Sequence, residues 1–568
     1  MASIPVADQL ERIVESFGLG GSVAVQLDRP RNPEHGDLST NVALILAKRV
    51  GQKPQMLAQS IIDQLDLAAA GLSAAEIAGP GFINFRFAHH SLRANLAEIL
   101  AAGVRFGRAE QPQRRRVQVE FVSANPTGPL HVAHGRGAAF GDGIASLLEW
   151  SGHDVQREFY VNDAGVQMQR LGESLEARWR ELRGEAAEIP EGGYHGTYLI
   201  DLARQVETEE GQRLAALTFD ERVGFLRVWG ANMLRRQQEE DLREFRVVFD
   251  EFYSESRVYE ENKVEATLAA LSERGFTYAS EGATWLRTTA FGDDKDRVLV
   301  KTDGTYTYFL PDLAYHREKA RRGFDHVIDI WGADHHGYAP RIKAGLAALG
   351  YQDFLDVEIV QMVRIMRGGA EMKMSKRSGE FITLRELIDE TGVDVARYFF
   401  LMRRSDAQML FDLDLALDHS EKNPVYKVQY AHARMMSIFS KAGVAADTIS
   451  STGVALERLA HDTEVDLIKQ LYAFPRVVAR AAEAHAPHTV CEYLEVTAGM
   501  VNSWYHAGNP SRNPELAVLV ADPELRAARL ALAKAVKIVL HNGLSLLGLG
   551  APDRMEREVE ETSATGVQ

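Results

Sequence analysis

Residues Val117–Asp142 place a strand, a sharp break and a helix in immediate succession. That order confines the chain to architectures in which a sheet strand feeds directly into a helix. Val117, Val119 and Phe121 alternate as a strand, and Asn125-Pro126-Thr127-Gly128-Pro129 then breaks it with turn-formers. An Ala/Gly-rich helix is expected to open near Leu130. A strand running through a tight turn into a helix presents free backbone N–H groups and a positive dipole end, which suits a phosphate. His131 and His134 lie three apart and project from one side of the helix's first turn. Gly135 and Gly137 would let a flat or polyanionic ligand approach the backbone. The stretch reads as a nucleotide pocket without a GxGxxG or Walker pattern.

Two plainer readings compete. His-x-x-His can ligate a metal, although no Glu follows the first His as in zinc hydrolases. The two histidines can also be ordinary helix-cap residues. Far downstream, however, Glu371-Met372-Lys373-Met374-Ser375-Lys376-Arg377-Ser378-Gly379 forms a short cationic loop before the helical run Leu384–Ile388. Together the two stretches resemble the HIGH and KMSKS signatures of class I aminoacyl-tRNA synthetases, in that order and at a fitting separation.

Composition narrows the setting. A chain of 568 residues implies about three or four domains. A single cysteine, Cys491, excludes a disulfide framework and a multi-Cys zinc site and fits a reducing compartment. The first residues form an amphipathic helix pattern rather than a leader, and no apolar run approaches the length of a membrane span, so a cytoplasmic protein without a membrane partner is expected. The net charge of −16 argues on its face against nucleic acid. Basic clusters at Arg114-Arg115-Arg116 and Arg364–Arg377 allow a local track of modest, salt-sensitive affinity.

Taken in order, the chain divides at 1–110, 111–415 and 416–568. The first part reads as an α/β module: a helix at 5–17, a strand near Ser22–Leu27, a helix from Ser39 or Thr40 to Arg49, and a strand at Phe82–Phe87. The second alternates strands and helices as a doubly wound parallel sheet, with an insertion at about 165–285 of mostly charged helical stretches. Arg297–Lys301 and Thr305–Leu310 flank Asp303-Gly304 as a hairpin, and His326–Trp331 and Gln361–Met366 read as strands. From about residue 385 onward, including the whole third part, the chain reads as helix after helix, ending in the run Arg526–Leu547 and a polar tail. The fold class is therefore multidomain α/β: an N-terminal α/β module, a Rossmann-like catalytic domain with a helical insertion, and an all-helical C-terminal domain. Ligands in such sheets bind outside the carboxyl ends of the strands, where the motifs fall.

More specifically, the chain resembles bacterial-type arginyl-tRNA synthetases. The resemblance rests on Val119–His131, on Trp331–Gly337 and on Asn423–Arg434, with His35-Gly36-Asp37, Asn41 and Gly543–Gly548 also fitting. It implies ligation of L-arginine to its tRNA with ATP and Mg2+ through an arginyl-adenylate, with bound tRNA needed for the first step and a monomer as the working unit. It assigns ATP binding to His131, His134, Gly135, Gly332, Asp334, His335, Lys373, Ser375 and Lys376. His131, His134, Lys373 and Lys376 are the catalytic contacts. Glu120, Asn125, His131, Tyr308 and Asp312 receive arginine. A guanidinium is a planar permanent cation best met by a carboxylate accepting two parallel bonds, which suits Asp312; the plainer reading of Asp312 is a helix N-cap beside Pro311. The resemblance puts a tRNA-corner contact on the N-terminal module and anticodon recognition on the C-terminal helices. Tyr426, Tyr430, Trp504 and Tyr505 are candidate stacking faces there, or plain core. The insertion is not expected to edit, since a site that hydrogen-bonds a charged group rejects analogues lacking it by about 10⁴–10⁵. Asp334-His335-His336 has metal-ligand residue types, but three adjacent side chains rarely converge on one ion.

Two departures stand out. Ala133 occupies a position where the motif has Gly, and the polar tail runs beyond Met555, near where family chains stop. The alternatives are a small-molecule adenylating enzyme without RNA, a non-catalytic RNA-binding paralogue and a metal-dependent hydrolase.

Overall fold

The computed structural model describes residues 5–19, 25–28, 30, 32–109, 115–372, 382–509 and 511–555. Lys373, Ser375, Lys376, residues 22–24 of the strand expected at Ser22–Leu27 and the tail 557–568 lie outside the described residues, and the remaining 25–27 form no strand.

The N-terminal module comprises α1 (Pro5–Ser16), β1 (Leu38–Thr40), α2 (Val42–Val50), α3 (Pro54–Asp63), β2 (Leu72–Ala78), β3 (Phe82–Phe87) and α4 (His89–Ala102). Val6, Leu10, Ile13 and Val14 recur at helical spacing on α1, and all four are buried. The strands form an antiparallel sheet ordered β1-β3-β2. The second helix starts later than its sequence indicates. Leu38, Ser39 and Thr40 pair with Phe85, Asn84 and Ile83, so Asn41 becomes the N-cap, and Thr40 Oγ1 accepts from the Val42 N–H at 3.2 Å.

The catalytic part begins with β4 (Arg116–Glu120), α5 (Val132–Trp150) and β5 (Asp154–Val161). Helices α6 (Val166–Leu182), α7 (Tyr198–Ala216) and α8 (Phe219–Glu244) form the insertion proper, with their own small core. The chain then returns to the sheet as β6 (Glu251–Ser254), inside the stretch expected to be helical. Four residues are too short a run to register against the surrounding charged helices. After α9 (Ser256–Glu260) and α10 (Lys263–Glu273), β7 (Thr277–Ser280), β8 (Ala283–Leu286) and β9 (Arg297–Val300) make a small antiparallel sheet. Asp303-Gly304 is a turn, as expected. The second hairpin arm reduces to a single bridge between Val300 and Tyr306, because α11 (Phe309–Arg321) takes the chain first. The sequence continues through β10 (His326–Gly332), α12 (Ala339–Ala348), β11 (Leu355–Val360), β12 (Val363–Arg367), β13 (Ala370–Glu371), α13 (Leu384–Thr391), α14 (Val393–Leu401), β14 (Met409–Asp412) and α15 (Leu413–Ala416).

Five strands form one parallel sheet ordered β11-β10-β4-β5-β6. From β4 the chain winds outward through β5 and β6, then crosses back to β10 and β11. The order therefore reverses between β4 and β10, which opens a crevice at their carboxyl ends. The strand read at Gln361–Met366 lies elsewhere: β12 pairs with β13 and β14 in a separate small sheet.

The C-terminal part packs α16 (Pro424–Ala442), α17 (Asp462–Tyr472), α18 (Phe474–Glu483), α19 (His488–Ala507) and α20 (Pro523–Leu546). Asn423 and Asp522 cap α16 and α20 by accepting backbone N–H groups, and Pro424 and Pro523 take the first-turn position that needs no N–H donor. The parts interlock. Asn542 donates to the carbonyls of Gly103 and Phe106, and buried Arg397 donates to the Asp142 carboxylate and to the carbonyls of Phe245 and Leu547. Among the described residues, no helix is long and apolar enough to cross a membrane.

Candidate active site

The crevice is shaped first by backbone strain. Val122 and Ser123, just past β4, have φ of +70° and +40°. A β-branched residue rarely adopts that region, so the surroundings must hold it there. Ser123 does much of the holding. Its hydroxyl donates to Glu120 Oε1 at 2.9 Å and accepts from the Tyr160 N–H at 3.2 Å, and its carbonyl accepts from Asn162 at 3.1 Å.

The next turn, 125–128, is gripped by the insertion. Gln238 of α8 donates to the carbonyls of Asn125 (3.0 Å) and Gly128 (2.8 Å), Tyr198 of α7 donates to the Thr127 carbonyl at 2.6 Å, and the Asn125 amide donates to Gln167. Sequence reasoning gave the insertion no such role.

At the start of α5 the His131 and His134 rings stack with centroids 3.7 Å apart. The His131 N–H donates to His134 Nδ1 at 3.3 Å, which leaves the His134 proton on Nε2. Residues far apart in sequence meet here. Leu384 N–H donates to the Leu130 carbonyl, Val132 N–H to the Ile382 carbonyl, and His131 bridges to Thr383. The segment that follows the cationic loop therefore pairs directly with the histidine turn. The space beside Gly135 is filled by Leu384 and Phe400, 2.7 and 3.2 Å from where a Cβ would stand, so this glycine serves helix packing. Gly137 has nothing within 4 Å.

On the other side of the switch point, Gly332 ends β10, Asp334 and His335 follow it, and all three are exposed, with His335 Nε2 3.7 Å from Asp334 Oδ2. Among the described residues, no group of three or more His, Cys, Asp or Glu is arranged to hold a metal ion.

Beside them acidic side chains and tyrosines gather around Asp312. Asp312, in the first turn of α11, accepts from the Tyr338 hydroxyl at 2.7 Å. Burial raises its pKa, although the neighbouring His316 cation works the other way. Glu255, just after β6, is pushed up to about 7 by burial, by Asp312 and by Asp163. Tyr259 rises to about 12 through burial and the nearby Glu255, Asp312 and Tyr308. Tyr160 is raised by burial and by Glu255 and Asp312. Several negative charges thus crowd a poorly solvated space, an arrangement that favours a cation. Tyr308 is 91% exposed and stands at the rim, while Tyr338 holds the Asp312 carboxylate. Glu120 is anchored beneath the floor, where its Oε2 receives Lys319 Nζ at 2.5 Å.

Glu255, Asp163, Tyr160, Tyr259 and Tyr338 escaped sequence reasoning. Tyr259 belongs to the five-residue helix α9 and Glu255 immediately precedes it, and no spacing rule connects them to Asp312. The aromatic candidates of the C-terminal part separate clearly. Trp504 is 2% exposed and Tyr426 8%, so both take the plain-core reading, whereas Arg434 lies over both Tyr430 and Tyr505, 4.7 and 4.5 Å from their centroids.

Comparison with known proteins identifies the family and the fold. Residues 5–87 match the family described as arginyl tRNA synthetase N terminal domain, 95–406 match tRNA synthetases class I (R), catalytic domain, and 428–555 match DALR anticodon binding domain. The chain is 50% identical to an arginine–tRNA ligase of Syntrophotalea carbinolica, over 94% of this chain and 95% of that one. It is 47% identical to one of Geobacillus kaustophilus, over 94% of each. Among solved structures, a putative arginyl-tRNA synthetase of Campylobacter jejuni superimposes with a TM-score of 0.75 at 32% identity, over 83% of this chain and all of that one. The Thermus thermophilus arginyl-tRNA synthetase shares the fold, with a TM-score of 0.78 at 23% identity over 98% of this chain and 100% of that one.

Proposed function

The chain belongs to the class I arginyl-tRNA synthetase family, and from that premise we propose a division of labour among its residues in joining L-arginine to its tRNA with ATP. The observation that carries the reading is the pair of crowded carboxylates among tyrosines: Asp312, raised by burial, and Glu255, raised by burial and by the neighbouring Asp312 charge. A guanidinium relieves both terms at once, because it is a permanent, planar cation whose forked donors match carboxylates. Tyr308 closes the rim over its stem.

Glu120 and Asn125 take the α-ammonium at the other end of the substrate. The arginine carboxylate then attacks the α-phosphorus of ATP, supplied as its magnesium complex, and pyrophosphate leaves. Arginine's carboxylate is already ionised, so this step asks for positioning and for donors to the phosphate charge rather than for a base. His131 and His134, at the positive end of α5, are assigned to the phosphates and ribose. Gly332, Asp334 and His335 are assigned to the adenosine side. Lys373, Ser375 and Lys376 lie outside the described residues, and their assignment to the leaving pyrophosphate rests on the signature alone. In the second step a hydroxyl of the tRNA's terminal ribose attacks the adenylate carbonyl, and AMP departs.

We also assign one chain as the working unit and a requirement for bound tRNA in the first step. The contacts that Arg397 makes with α5 and with the end of the C-terminal bundle support such a requirement, since they tie the helix bearing the histidines to the part that meets RNA. The match of 428–555 to an anticodon-binding family speaks against an adenylating enzyme without RNA.

Transfer of labelled L-arginine to acid-precipitable tRNA tests the reading. Wild-type protein is expected to charge tRNA, and Asp312→Asn to lose on the order of 10²-fold or more in kcat/KM for arginine. Equal kcat/KM in the two would remove Asp312 from the pocket.

A further inference from the structure

We propose that Lys319 is a positioning residue for arginine, setting from beneath the pocket the Glu120 carboxylate that receives the substrate's α-ammonium. The proposal rests on the assignment of Glu120 made above.

Strand register creates the need. Glu120 on β4 is paired with Glu158 on β5 and with Asp329 on β10, so three carboxylates stand abreast on neighbouring parallel strands. Adjacent strands lie about 4.8 Å apart, and like charges at that spacing under burial repel strongly. All three are almost inaccessible: Glu120 is 7% exposed, Asp329 1% and Glu158 0%.

Helix α11 answers with one face. Asp312, Tyr315, His316 and Lys319 are spaced three, four and seven apart and share a side of the helix, with Arg322 just past its end. Lys319 Nζ donates to Glu120 Oε2 at 2.5 Å and to Asp329 Oδ1 at 2.9 Å. His316 Nε2 meets Asp329 Oδ2 at 2.7 Å while its Nδ1 donates to the Asp312 carbonyl at 2.8 Å, so both ring nitrogens face oxygens. Burial opposes the imidazolium, but Asp329 raises the His316 pKa overall. Arg322 serves Glu158 at 2.6 and 2.9 Å, and the Tyr315 hydroxyl sits between Glu158 (2.5 Å) and Glu120 (2.8 Å).

Three cations thus offset three sheet carboxylates, and Lys319 alone among them touches Glu120. The lysine is 0% exposed and touches no pocket surface, so its influence on arginine must pass through Glu120. The helix that presents Asp312 at the guanidinium end thereby also fixes the carboxylate at the amino end.

The test compares L-arginine with 5-guanidinovaleric acid, which keeps the guanidinium and carboxylate but lacks the α-amino group. Both are titrated into full-length wild type, Lys319→Met and Tyr315→Phe. Wild type is expected to prefer arginine. Lys319→Met is expected to weaken arginine on the order of 10- to 100-fold and to leave the amino-free analogue near its wild-type affinity, erasing the preference. Tyr315→Phe is expected to move in the same direction by a smaller factor, and carries the test if Lys319→Met does not fold. Equal loss for both ligands, or no loss for either, overturns the proposal. A wild type that shows no preference for the amino group would instead bring down the assignment of Glu120, and that failure is visible before any variant is made.

Discussion

Glu255 offers the sharpest handle on the pocket's electrostatics. Its pKa of about 7, against an ordinary 4.5, means that the folded protein binds more protons than the unfolded chain between those values. A carboxylate raised in this way withdraws stability as pH rises through that window. Arginine binding reverses the balance, because the guanidinium favours the ionised form. Between about pH 8 and about pH 6 the ionised fraction of Glu255 falls from roughly 0.9 to roughly 0.1, so arginine should bind about tenfold more weakly at the lower pH. Near neutrality binding should release about half a proton, from the roughly half of the molecules in which Glu255 is still protonated. Glu255→Gln keeps an acceptor but loses the charge. It should weaken arginine by roughly tenfold at about pH 8, flatten much of the pH dependence, and raise the melting temperature of the ligand-free protein there. Calorimetric titration of L-arginine in two buffers of different ionisation enthalpy reads the affinity and the proton count together. A wild type whose affinity is the same across the range, or a Glu255→Gln variant that keeps the full pH dependence, would refute the reasoning.

Other perturbations test the frame around the pocket. Arg397→Met strips a buried cation from Asp142 and from the carbonyls of Phe245, Arg246 and Leu547, and should cost about 3–5 kcal/mol in denaturant unfolding. Gly141→Ala would put a Cβ 2.2 Å from Phe121 Cγ and should destabilise by about 1–3 kcal/mol or more, whereas Gly137→Ala, facing open space, should stabilise by about 0.5–1 kcal/mol. Both are read by the same unfolding curves. Tyr198→Phe removes the bond from α7 to the Thr127 carbonyl. With little change in melting temperature, it should slow pyrophosphate exchange on the order of 10- to 100-fold if the insertion positions the 125–128 turn. An unchanged rate would make the insertion a bystander.

Local chemistry was legible in the sequence wherever it is written in consecutive residues. The strand and break at 117–129 and the turn at Asp303-Gly304 each follow from neighbouring residue types. What sequence did not reveal depends on register and return paths. Glu120, Glu158 and Asp329 look unrelated until three strands align them, and Glu255 reaches the pocket only because a four-residue strand rejoins the sheet after the insertion. Gly135 shows the opposite error: a glycine beside a histidine motif invites a ligand reading, yet Leu384 and Phe400 occupy its space. The start of α2 was misplaced because Ser39 and Thr40 are good capping residues whose backbone groups were already committed to β3.

The central claim is that a pocket built for a guanidinium drives adenylate chemistry. Exchange of labelled pyrophosphate into ATP tests it most directly, run with L-arginine and with its uncharged isostere L-citrulline, each with and without tRNA. The account predicts exchange with arginine in the presence of tRNA and none with citrulline. Equal exchange with citrulline, or none with arginine and tRNA in folded protein, would contradict it.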